Sequence, residues 1–137
     1  MDDLRQIIST DDLTSDRAIT LARTAAEAIR GLNHATRSDA GLDQPSAAYD
    51  ILGSLSQAAG RLGQLLTQIT RYLGQALTAG TLGHDRGEDP ALAVEGAAIF
   101  LHDARGSAAA LAGDLDAARQ QLAPVNGRGP RTPQDQP

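Results

Sequence analysis

The chain has 137 residues, a net charge of −5, no cysteine and no tryptophan, and all twelve of its basic residues are arginine. That length suits one domain with a single core, and the missing cysteine excludes disulfide frameworks, thiolate metal sites and cysteine nucleophiles. No segment gathers the positive charge that phosphate binding needs, and the arginine and alanine bias is what a high-GC bacterial genome produces.

The opening, MDDLRQIISTDD, has neither a basic start nor a continuous apolar stretch. It therefore does not read as a secretory signal, and a cytoplasmic location is expected. Within residues 1–13, Leu4, Ile7 and Ile8 share one side of a short amphipathic helix. Every later apolar stretch is interrupted by polar residues before the length needed to span a bilayer, so no membrane association is expected.

Three long segments follow with helical periodicity and no convincing strand alternation, which predicts an all-α fold. The first, about 14–36, starts at Thr14 as a cap with Asp16 in the first turn, and points Ala18, Ala22, Ala25, Ile29 and Leu32 inward. The glycine and proline of RSDAGLDQP then mark a connection.

The second segment, about 45–79, opens with Asp43 as a cap and Pro45 in the first turn, and Gly80 stops it. Its expected seam is Ala48, Leu52, Leu55, Ala59, Leu62, Leu66, Ile69, Leu73 and Ala76, an unbroken 4-3 alternation of the coiled-coil kind. Ile51, Ala58, Leu65 and Tyr72 form another apolar column beside it, so the face is wide enough for two neighbours.

The third segment, about 90–123, is announced by Asp89 and Pro90 and carries the seam Val94, Ala97, Leu101, Ala104, Ala108, Leu111, Leu115, Ala118 and Leu122. Two helices of similar length joined by a short loop should pack antiparallel, with the first long helix in their shared groove. The prediction is an antiparallel three-helix bundle over 14–123. A disordered tail is expected over 124–137, where proline, glycine and polar residues leave nothing to bury.

Gly53, Gly60 and Gly74 fall in one column of the second helix, away from its expected seam and on a face low in charge. Each costs the helix about 1 kcal/mol relative to alanine. Either a GC-rich chain tolerates that cost, or the column is a smooth contact surface. Leu92 and Ile99, with Phe100 on the flank, make the first half of the third helix apolar nearly all round, the mark of a helix covered on more than one side. These six residues are the candidate interaction surface, with Leu92 and Ile99 as its anchor.

Catalytic and cofactor chemistry finds little support. His34, His84 and His102 lack a second ligand at helical metal spacing, and Asp103 beside His102 does not face it on a helix. The loop cluster His84, Asp85, Arg86, Glu88 and Asp89 lacks the ligand pattern of a calcium loop. No phosphate cradle, nucleophile elbow or catalytic carboxylate pair is present. Neither enzyme activity, cofactor nor metal is therefore expected.

The pattern favours a non-catalytic helical module that binds itself or another helical protein. A small nucleic-acid-binding regulator is the alternative: Arg17, Arg23, Arg30 and Arg37 form a loose stripe on the first helix, and Arg128 and Arg131 lie in the tail. In size and hairpin pattern the chain also resembles the secreted helical-hairpin substrates of type VII systems. It lacks their Trp-x-Gly turn and their tyrosine-plus-acid tail signal, since Tyr49 and Tyr72 both fall inside the second helix.

Overall fold

A computed structural model describes residues 14–38 and 40–128. All regular structure among them is helical: α1 (Ser15–Ala35), α2 (Pro45–Thr78) and α3 (Pro90–Leu122). The expected helix over Asp2 to Ser9, with Leu4, Ile7 and Ile8, and the tail from residue 129 onward, with Arg131, lie outside the described residues. No described helix is long and apolar enough to cross a membrane. The chain divides into two compact units, 1–43 and 44–137.

In the first unit, α1 begins where a hydroxyl can serve a free amide: the Arg17 N–H donates to Thr14 Oγ1 at 3.2 Å. Thr20 and Thr24 turn their hydroxyls back to the carbonyls four residues earlier, at 2.9 and 2.8 Å, so neither competes with the helix for a partner. No residue of α1 is buried; Ile19 and Ile29 are exposed, and Leu21 and Leu32 are half-buried.

In the second unit, α2 and α3 pack extensively as an antiparallel hairpin. Proline fixes where α2 starts. The residue before a proline is driven into an extended conformation, and Gln44 adopts φ −136° and ψ 144°, so the cap is Gln44 and not Asp43. Gln44 gives no side-chain cap bond, and the Ala47 N–H closes the first turn on the Gln44 carbonyl at 3.1 Å.

Gly80 ends α2 in a Schellman arrangement: with φ +73°, it donates to Leu77 O, and Thr81 N–H reaches Ala76 O, both at 3.1 Å. The loop turns again at Gly87, φ +71°. At the start of α3, Asp89 Oδ1 accepts from the Ala91 N–H at 2.9 Å, and Pro90 occupies the first turn. Past Leu122 the chain leaves the helix, with the Val125 N–H on Leu122 O at 2.9 Å and Gly127 against the Gln44 side chain.

The contact face of the hairpin takes in most of each expected seam and a further column beside it. Along α2 the expected Ala48, Leu52, Leu55, Ala59, Leu66, Leu73 and Ala76 are covered, Tyr49, Ser56, Gly63, Thr70 and Leu77 form a second covered column beside them, and Leu62 and Ile69 are exposed. Along α3, Ala112 and Arg119 are half-buried where Leu111 and Ala118 were expected, and those two are exposed. Most of each expected seam is therefore covered, and the departures are Leu62 and Ile69 on α2 and Leu111 and Ala118 on α3, which stay exposed while a neighbouring column is covered in their place.

The small side chains explain the second covered column. Ser56 and Gly63 on α2 and Ala108 and Ala112 on α3 let the backbones come close enough for Ser56 Oγ to donate to the Ala112 carbonyl at 2.9 Å. Leucine in those columns would hold the helices farther apart. Thr67 and Thr70 satisfy their half-buried hydroxyls on Gly63 O and Leu66 O at 2.9 and 2.8 Å.

Candidate interaction face

The covered columns decide what remains exposed. An antiparallel pair with contact columns matched in phase brings corresponding flanking columns to the same side of the hairpin. On one side these are Leu55, Leu62, Ile69 and Ala76 from α2 and Ala97, Ala104, Leu111 and Ala118 from α3, of which Leu62, Ile69, Leu111 and Ala118 are exposed, Leu55, Ala97 and Ala104 half-buried and Ala76 buried. The next columns outward add Leu65, Tyr72 and Phe100, and no charged residue interrupts the face before Asp114.

Its larger side chains remain in water. Leu62, Leu65, Ile69, Tyr72, Phe100 and Leu111 are all exposed, with Phe100 at 76% the extreme. Fully buried among the described residues are Ala59, Ala76 and Ala108 alone, all small. A soluble chain rarely leaves an apolar patch of this extent bare without using it for contact.

The open end of the helix contact carries the polar chemistry. There the Arg119 guanidinium lies 4.9 Å from the Tyr49 ring centroid, and its Nη1 donates to Tyr49 Oη at 3.1 Å. The same guanidinium donates from Nη2 to Asp116 Oδ1, also at 3.1 Å. This cluster clamps the open end of the hairpin, where α2 begins and α3 ends.

The candidate surface divides accordingly. Gly53 is not on an outer face: a Cβ there would lie 3.2 Å from Arg119 Cδ, so the glycine makes room for the clamp. Gly60 is exposed with nothing near it, and Gly74 is half-buried beside an open trough lined by Arg71, Gln75 and Thr78. Leu92 and Ile99 are exposed at 71% and 64%, but their column faces away from the uncharged side, so they form a smaller separate patch. Of the expected residues, Phe100 alone belongs to the continuous face. Leu62, Ile69 and Leu111 had been assigned to the interior of the bundle, and Leu65 and Tyr72 to the neighbouring column.

The histidines come together with nothing that resembles a metal site. Among the described residues no group of three or more His, Asp or Glu side chains could hold an ion. His84 accepts the Arg86 N–H on Nδ1 at 3.1 Å, with Nε2 3.6 Å from Glu88, which folds the loop cluster onto itself. In the α1 arginine stripe, Arg30 Nε donates to Glu27 at 2.9 Å. No protein-family model, curated protein or solved structure matches the chain.

Proposed function

We propose that this chain is a non-catalytic helical association module of a high-GC bacterial cytoplasm, working through the uncharged side of its α2–α3 hairpin, with a second copy as partner. The observation that carries the reading is the exposed run of Leu62, Leu65, Ile69 and Tyr72 beside Phe100 and Leu111 on a hairpin whose fully buried residues are three alanines. Apolar area removed from water is the main source of helix association energy, and here that area lies outside the hairpin contact.

The test is absolute mass by light scattering over a hundredfold dilution. The expected result is a species of at least twice the 14.2 kDa chain that dissociates on dilution. A 14.2 kDa particle at every concentration refutes self-association.

A further inference from the structure

Resting on that reading, we infer that two copies pair about a two-fold axis parallel to the helices, α2 of each lying antiparallel on α3 of the other, in a four-helix bundle. Each helix would then carry two seams, one toward its hairpin partner and one toward the second copy. The α2 sequence meets this need. Ala48, Ile51, Leu55, Ala58, Leu62, Leu65, Ile69, Tyr72, Ala76 and Ala79 form an unbroken 3-4 apolar alternation; its middle, from Ala58 to Tyr72, is exposed, while Ala48, Ile51 and Leu55 are half-buried and Ala76 is buried.

The hairpin sets the register. Ser56 is level with Ala112, and a two-fold axis along the helices keeps every level when α3 is supplied by the other copy. Leu62 then stands within one residue of the level of Ser107, Leu65 of Ala104 and Tyr72 of Ala97, a large side chain beside a small one each time on the facing columns. The order reverses at Ala58 against Leu111. At the centre, Phe100 would enter the space framed by Leu65, Gln68, Ile69 and Tyr72, whose i, i+3, i+4, i+7 spacing is that of a coiled-coil hole.

Charge and area agree with this pairing. The column bordering the second seam carries Arg61 and no acid on α2, and Asp103 and no base on α3, so crossed pairing sets opposite charges near each other. Pairing α2 on α2 would oppose arginine to arginine and large side chains to large ones. The six exposed side chains leave on the order of 600 to 700 Å² of apolar surface per copy, near the roughly 800 Å² that each partner gives a standard interface.

The native chain has no cysteine, so engineered thiols report the arrangement directly. Ile69→Cys and Phe100→Cys chains, both altered at exposed positions, are equilibrated together and oxidised, and a Leu65→Cys and Ala104→Cys mixture repeats the test one layer away. A covalent dimer from each mixture and none from any single variant is the expected result. A disulfide dimer from Ile69→Cys or Leu65→Cys alone would place α2 on α2 and overturn the arrangement while association stands. Wild type at twice the chain mass with no cross-link in either mixture also overturns it. Monomeric wild type at every concentration overturns both this inference and the self-association beneath it.

Discussion

Replacing Leu65 with alanine separates a buried seam from a bare one. Leu65 is 48% exposed in the hairpin, and full burial of a leucine contributes about 1.5–3 kcal/mol, so covering the remaining half contributes about 1 kcal/mol per copy. The gap left by truncation adds to the cost, bringing it to about 1.4 kcal/mol per copy. A two-fold dimer contains the change twice, for a total of about 2.7 kcal/mol, or roughly a hundredfold weaker dimerisation. The isolated hairpin should lose about 1 kcal/mol or less, from the half of Leu65 it already covers, partly offset because alanine is at least as good a helix former as leucine. Sedimentation velocity over a wide concentration range measures the dimer constant, and circular dichroism below that constant checks the helix. A dissociation constant within threefold of wild type would refute the placement of Leu65 in an interface.

Other substitutions probe individual contributions to the hairpin and its seam. Gly60→Ala, at an exposed position with nothing within 4 Å, should stabilise α2 by about 1 kcal/mol and raise the urea midpoint. Gly80→Ala should cost about 1–2 kcal/mol in the same assay, because φ +73° is a left-handed conformation that a Cβ disfavours. Asp89→Ala should cost about 1 kcal/mol by removing the acceptor for the Ala91 N–H. Asp114→Leu should tighten dimerisation at least tenfold by light scattering, since Asp114 ends the α3 run within one residue of the level of Leu55 of the proposed partner; unchanged affinity would remove that layer from the seam.

The ends of the helices were legible because their signals are local. Pro45, Asp89 with Pro90, and Gly80 act within a turn of themselves, and the structure places each at the boundary its chemistry predicts. Asp43 failed for an equally local reason, since the cap must be the residue that proline forces to be extended. Which members of the wide apolar face stay bare, Leu62, Ile69 and Leu111 among them, was not legible. The apolar face of α2 is three columns wide, and periodicity cannot say which columns meet α3. That choice falls to the column of Ser56, Gly63 and Thr70, which looks polar or neutral in sequence and permits close approach in space. The clamp of Arg119 on Tyr49 joins residues 70 apart in the chain, beyond any spacing rule.

The choice of small residues for the internal seam has an energetic consequence. Ala59, Ala76 and Ala108 bring the helices close, but each removes little apolar area from water, while Leu62, Leu65, Ile69, Tyr72, Phe100 and Leu111 keep much of theirs outside and Leu52, Leu66, Leu73, Leu77, Leu101 and Leu115 are only half-buried. A hairpin built this way leaves much of its apolar area in water when it closes on itself. If its large side chains are buried by a second copy, folding and association draw on the same surface, and the melting temperature must rise with concentration. Reversing the design, with leucine at Gly63 and alanine at Leu62, would move apolar area toward the hairpin contact at the expense of its close approach. That exchange should weaken the dimer whether or not the isolated hairpin gains stability, because the partner-facing surface loses a large side chain in each copy.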